Sequence, residues 1–293
     1  MTLVASAFFT RMPSEISVQD EAAFFTALKV GNNTFKKTAP GRFAQLDAAL
    51  VRNLADAKPR IGEALDIGIS SGMTTLELNA ALVAAGHSLR LTGTDLSLKA
   101  FIVPVAKGCR ALIDGAGHIL QYDLFGIPVR PWRRRLDYFS GMIAVRACLN
   151  RTCAPRARRS LAANRVLRRV DLVSPKLLQR CDIAVEQDDI TVENPAFGGR
   201  FDFVRAANVL NRDYFDEPTL RRALSHVVSY LAGPGALLLV ARTLGRDEHH
   251  GTLFEMTEQG HRFRIIEQYG DGSEVEGLVL EMGTLNCSHL ELR

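Results

Sequence analysis

The run Asp66-Ile67-Gly68-Ile69-Ser70-Ser71-Gly72 holds residue types that can do chemistry at a close spacing. It leaves the apolar stretch GEALDIGI and enters GMTTLELNAALVAAG, which has helical periodicity. Small residues in such a turn let a ligand approach the backbone. Free N–H groups at the helix start can hold an anionic group. A plain strand-turn-helix junction would use the same residues. Asp95 closes a second apolar strand, LTGTDLS, where a carboxylate is placed to accept both hydroxyls of a ribose. Asp189-Ile190 then sets an acid beside an apolar residue ahead of another core strand. The Gly-x-Gly-x-x-Gly spacing of a nicotinamide dinucleotide site is absent.

Proton carriers are a second requirement. GRDEHHG, directly after the apolar strand GALLLVART, supplies Asp247, Glu248, His249 and His250. Neutral histidine accepts a hydroxyl proton near pH 7, so His249 and His250 are the catalytic candidates. The same run also reads as a solvated loop. Adjacent histidine side chains diverge, and no metal site is expected. Asp213 and Tyr214, after FDFVRAANVL, are further candidates. His226 falls in a predicted helix and reads as structural.

These residues need a scaffold. Residues 1–60 read as a polar, helical N-terminal cap, with the turn-rich GNNTFKKTAPG inside it. Residues 61–293 read as one ligand-binding domain with an Arg-rich insertion at about 128–176. AFIVPVAKGCRALIDGAGHILQYDLFG is expected to form a hairpin or small added sheet. EPTLRRALSHVVSYLAG is a helix, with Pro218 near its start and Gly233 past its end. HRFRIIEQYGDGSEVEGLVLEM reads as two strands about a Gly-Asp-Gly turn. Apolar, non-alternating strands between helices predict a mostly parallel sheet covered on both faces.

The 293 residues, 47% hydrophobic, suffice for one large domain or one with an insertion. No apolar run reaches the ~18–20 residues that span a bilayer. The start, MTLVASAFFTRMP, lacks the basic region and small-residue cleavage site of a signal peptide. Five cysteines without a CxxC pair argue against a disulfide framework or a zinc site and point to a reducing cytoplasm. Net charge is +4, yet Arg130–Arg169 holds twelve arginines and one acid, Asp137, so the remainder sums to −7. Leu136, Phe139 and Ile143 recur there at helical spacing, near Trp132, Tyr138 and Met142. Three readings stand side by side: a lid or interfacial helix for anionic lipid or an acidic substrate, a phosphate-binding segment, or an insertion with a solvated Arg face. Stacking aromatics are few, which disfavours nucleic acid.

Taken in order, these motifs resemble the class I S-adenosylmethionine-dependent methyltransferases. LDIGISSG is similar to their Asp/Glu-x-Gly-x-Gly-x-Gly loop at Asp66, Gly68 and Gly72, with Ser70 for the middle glycine. The resemblance implies that Asp95, with Leu96, binds the ribose end and that Asp189 and Ile190 lie near the adenine. It implies that Asn208 sits over the cofactor, and that GPGALLLVART and the closing hairpin are the last strands. The implied fold is a Rossmann-like doubly wound seven-stranded mostly parallel sheet with a C-terminal antiparallel hairpin. The implied cofactor is S-adenosyl-L-methionine, leaving as S-adenosyl-L-homocysteine.

A narrower echo is of chemoreceptor glutamate methyltransferases, in NNTFKK and FDFVRAANVLNRDYFDEPTLRRAL. Lys36 follows Phe35, and Ala207 stands where that group has arginine. The expected reaction is therefore O-methylation of a small-molecule, lipid or glycan acceptor. Protein carboxylate methylation and a non-catalytic, cofactor-binding interaction protein are the alternatives. The expected location is cytoplasmic, with the Arg-rich segment able to bring the chain to the inner face of a membrane.

Overall fold

The computed structural model describes residues 3–285 apart from 32–33, 37–38, 56–59, 134–136, 138–139, 246–247 and 259–261. Leu136, Tyr138, Phe139, Asp247 and Cys287 lie outside the described residues. In chain order, helices α1 (Ala5–Phe8), α2 (Val18–Thr26) and α3 (Ala44–Ala55) precede β1 (Glu63–Ile67), α4 (Met73–Ala84) and β2 (Arg90–Asp95). Four strands follow: β3 (Lys99–Ala106), β4 (Cys109–Asp114), β5 (Ile119–Leu124) and β6 (Ile127–Val129). Helix α5 (Met142–Ala162) and β7 (Arg168–Asp171) lead to β8 (Ile183–Gln187). The chain ends with β9 (Phe203–Ala207), α6 (Glu217–Tyr230), β10 (Leu237–Leu244), β11 (Glu248–Met256), β12 (Phe263–Tyr269) and α7 (Glu276–Leu285). It divides into two units, residues 1–40 with 97–179 and residues 41–96 with 180–293.

The second unit is built on a seven-stranded sheet of order β12-β11-β10-β9-β1-β2-β8. Strands β8, β2, β1, β9 and β10 are parallel, and β11 and β12 extend them as an antiparallel meander. From β1 the chain steps out to β2 and β8, then returns to β9 and steps the other way. That reversal makes the sheet doubly wound and Rossmann-like, with its switch point between β1 and β9. All five residues of β9 are buried, as a strand covered on both faces requires. Val204, Leu224, Val227, Leu238 and Phe254 belong to the core beside it. The Asp216 side chain accepts from the Thr219 N–H and starts α6, with Pro218 in its first turn.

The closing antiparallel hairpin is present as β11–β12, one strand earlier than expected. The antiparallel pairs are β10–β11 and β11–β12, and GDGSEVEGLVLEM turns into α7. Val275, Leu278, Val279 and Met282 fall at helical spacing, and the first three are buried. Gly270 and Gly272, both at positive φ, end β12 instead of joining two strands.

The first unit carries a five-stranded antiparallel sheet of order β6-β5-β4-β3-β7. Ala100 and Ile102 of β3 pack with Phe8, Phe24 and Phe25 of α1 and α2, where Phe8 stacks on Phe24 at 4.0 Å. Their neighbours Phe101 and Val103 face Leu149, Cys153 and Ala157 of α5. This alternation places helices on both faces. The boundaries expected at residue 60 and at about 128–176 therefore move. Strand β7 pairs with β3, Lys99 against Asp171, so the insertion spans 97–179 and residues 1–40 group with it.

The apolar stripe of α5 is consumed by this packing, while Arg151, Arg156, Arg158 and Arg159 are exposed. Arg146 alone of the helix's arginines is buried. It pairs with Asp137 and donates to the Arg130 carbonyl at 3.0 Å. Among the described residues no helix is long and apolar enough to cross a membrane.

Candidate active site

The loop between β1 and α4 folds back on the end of β2. The N–H groups of Gly68 and Ile69 donate to the Thr94 carbonyl at 2.7 and 3.0 Å. The Ser70 N–H donates to Asp95 Oδ2 at 2.8 Å. Gly68, Ser70 and Gly72 all hold positive φ, at 76°, 58° and 78°. Such a conformation is uncommon for serine and marks a turn held by its surroundings. A Cβ on Gly68 would lie 2.1 Å from Val209 Cγ2, so glycine is required there. Gly72 caps α4 in the left-handed conformation.

Asp66 has a different role from its neighbours. Its carboxylate turns into the core and accepts from Arg205 Nε at 2.8 Å, Arg205 Nη2 at 2.7 Å and the Thr75 hydroxyl at 2.7 Å. Arg205 is 1% exposed on β9. It also donates to Asp47 Oδ1 on α3 at 3.1 Å and to the Thr74 carbonyl at 3.1 Å. One guanidinium thus faces two carboxylates. Burial opposes the Arg205 charge, but Asp66 and Asp47 outweigh it and hold the pKa above the ordinary value. Asp47 is the excess anion. Burial, with Asp66 and Glu77 nearby, pushes it up to about 6 against the pull of Arg205. Asp66 therefore fixes the loop from below. Sequence reasoning missed Arg205 and Asp47 because they are 158 positions apart.

At the end of β8 the acid pair divides its work. Asp189 is exposed, and its Oδ1 accepts from the Thr191 N–H and hydroxyl. Asp188, missed in the sequence, is half-buried, and its N–H donates to the Asp95 carbonyl at 3.2 Å. Burial raises its pKa, against a hydrogen bond from Asn194. The doubled acid at the strand end was its only signal. Ile190 is buried, and its carbonyl accepts from His226 Nδ1 at 3.0 Å, which gives His226 a structural place on α6. Leu96 is 49% exposed beside Asp95.

Asn208 follows β9 at φ 61° and ties that strand to β10. Its Oδ1 accepts from the Thr243 N–H at 2.8 Å. The Thr243 hydroxyl lies 3.2 Å from His249 Nδ1, and the His249 ring is 5.4 Å from that of Phe43. The expected His-containing loop is instead the start of β11, where Thr243 pairs with His249 and Arg242 with His250. Alternation along the strand separates the histidines. His249 joins the Asn208 group. His250 accepts from the Asp271 N–H at 2.9 Å and is not brought to it. Glu248 is largely exposed, Asp213 pairs with Arg242, and Tyr214 is 54% exposed. Among the described residues no group of three or more His, Cys, Asp or Glu is arranged to hold a metal.

No protein-family model matches the chain, and no curated protein matches it. Solved structures are similar in shape. One is the N-methyltransferase NodS from Bradyrhizobium japonicum WM9 in complex with S-adenosyl-L-homocysteine, at 17% identity and TM-score 0.33, covering 69% of this chain and 62% of that one. Another is the CMeT domain of the citrinin polyketide synthase, at 14% identity and TM-score 0.38, covering 79% and 41%. A third is the [4+2]-cyclase SpnF, at 16% identity and TM-score 0.29, covering 68% and 44%. The matched region thus spans less than two thirds of the length of each of these chains. Likeness at this level leaves the reaction to be argued from the site's own residues.

Proposed function

We propose that the chain is an S-adenosylmethionine-dependent methyltransferase acting on an acceptor oxygen. The observation that carries this reading is the Ser70 N–H on the Asp95 carboxylate, at the ends of β1 and β2 beside the switch point. An acid fixed there suits a ribose diol. Leu96 offers apolar surface for a base, backed by the buried Ile190, with Asp188 or Asp189 to accept from its exocyclic nitrogen. The positive-φ loop from Gly68 to Gly72 brings backbone close to a charged tail. S-adenosylmethionine supplies a methyl group on a sulfonium, and its transfer leaves the neutral thioether S-adenosylhomocysteine.

Within this reading Asn208 and Thr243 position His249, which takes the proton from the acceptor hydroxyl. A hydroxyl of a small molecule, lipid or glycan has a proton to give, and an ionised protein carboxylate has none. The linked His249 therefore favours the hydroxyl acceptor. His250, tied to Asp271, is left out of the chemistry. The free thiols of Cys109, Cys148, Cys153 and Cys181 suit a cytoplasmic setting. Contact with an anionic membrane surface would rest mainly on the exposed arginines of α5, since its apolar stripe packs inside and Val145 is its exposed large apolar residue.

The test follows S-adenosylhomocysteine formed from S-adenosylmethionine across hydroxyl, amine and carboxylate acceptors. Turnover on hydroxyls, lowered about 10²–10⁴-fold in His249→Gln, is expected. A chain that binds the cofactor and turns over no acceptor is a binding protein.

A further inference from the structure

Two guanidiniums share the Phe43 ring, Arg205 at 5.4 Å from its centroid and Arg42 at 5.3 Å. Their surroundings differ. Arg205 holds two carboxylates. Among the described residues no carboxylate pairs with Arg42, although it is half-buried and burial lowers its pKa, opposed by Tyr214. A guanidinium partly stripped of water and lacking a counter-ion is costly, and an arriving anion offsets that cost.

Arg42 is also held in place. The Gly41 N–H donates to Glu77 Oε1 at 2.7 Å, the Ala44 N–H to the Gly41 carbonyl at 3.0 Å and the Asp47 N–H to the Phe43 carbonyl at 2.7 Å. These bonds fix the backbone on either side of Arg42 in the turn entering α3, while its guanidinium lies over the Phe43 ring. His249 touches the same Phe43 ring at 5.4 Å, which links Arg42 to the Asn208–Thr243–His249 chain.

We propose that Arg42 binds an anionic oxygen group, a carboxylate or a phosphate, of the acceptor. The acceptor is then a hydroxyl compound carrying that anion, held with its hydroxyl toward His249. The word acceptor rests on the methyl-transfer reading; the anion site does not.

The test titrates the full chain, with S-adenosylhomocysteine present, with benzoate, phenyl phosphate and the neutral isostere benzamide. Anion binding at least about tenfold tighter than benzamide is expected, weakened about 10–100-fold in Arg42→Gln and less in Arg42→Lys. Tighter benzoate assigns a carboxylate, and tighter phenyl phosphate assigns a phosphate. Both variants are expected to keep wild-type S-adenosylhomocysteine affinity within about threefold, since charged-group losses are confined to the missing contact. Arg42→Lys, which keeps the cation, decides the matter should Arg42→Gln not fold. Anion binding equal in wild type and both variants overturns the proposal, as does no anion binding at all. Loss of S-adenosylhomocysteine affinity in the variants also overturns it, by giving Arg42 to the cofactor's own carboxylate. Arg42-dependent anion binding by a chain that ignores S-adenosylhomocysteine would sink the methyl-transfer reading and leave the anion site standing.

Discussion

Arginine is used in opposite ways on the two sheets. In the seven-stranded sheet, Arg205 is fully buried and joins β9 to β1, to α3 and to the first turn of α4. On the five-stranded sheet, α5 buries Arg146 against Asp137 but shows Arg151, Arg156, Arg158 and Arg159 to solvent. By count the charge of the chain lies in the second group. By consequence it lies in the first, because a buried charge has no water to replace a lost partner. A run of like charges in the sequence thus says less about chemistry than one charge in a strand that is otherwise apolar.

Replacing Arg205 should break this contrast most severely. Arg205→Leu leaves Asp66 and Asp47 buried without their counter-ion, and a loss of about 3–5 kcal/mol in denaturant unfolding is expected. Gly68→Ala comes next. Positive φ and the approach to Val209 together should cost about 2–4 kcal/mol, partly recovered in the double variant with Val209→Ala. Asp95→Ala should weaken S-adenosylhomocysteine about 10–100-fold by calorimetry, through loss of hydrogen bonds to a charged group.

Asp47 makes the stability of the chain depend on pH. Its native pKa of about 6 exceeds the ordinary 3.8, so between those values the folded chain keeps a proton that the unfolded chain has lost. Stability then falls as pH rises through that window and is level above it, by about 3 kcal/mol in all from this group. Asp47→Asn should remove that slope in unfolding measured from pH 4 to 7. An unchanged slope would place the excess charge elsewhere. The smallest effect is expected on α5. Arg156→Gln with Arg159→Gln should shift stability by less than about 0.5 kcal/mol and leave cofactor binding unchanged.

What was legible in the sequence follows the same division. LDIGISSG and Asp95 could be read because a strand-to-helix turn and a strand end impose local residue choices. The added sheet was legible from its turn signals; the helix of the Arg-rich window was expected from Leu136, Phe139 and Ile143, of which the first two lie outside the described residues and Ile143 is not among those α5 packs inside. Strand β8 was not legible, since only Ile183 of its five residues is buried and an edge strand leaves little pattern. Helix α7 was hidden behind a Gly-Asp-Gly signal that ends β12. The sequence does not separate Asp188 from Asp189, because which of two adjacent acids faces a neighbour is decided by the turn that follows. Arg205, Asp47, Phe43 and Arg42 come together only through tertiary packing, and no spacing in the chain announces them.

The central claim is that the loop from Gly68 to Gly72 and Asp95 form a site for a sulfur-containing nucleoside. Calorimetric titration of the purified chain with S-adenosylmethionine and S-adenosylhomocysteine, beside NAD and an Asp95→Ala variant, tests it most directly. Micromolar binding of both sulfur compounds, lost or weakened in the variant and absent for NAD, is the predicted result. A folded sample that binds neither compound would contradict the claim and reduce the glycine turn to architecture.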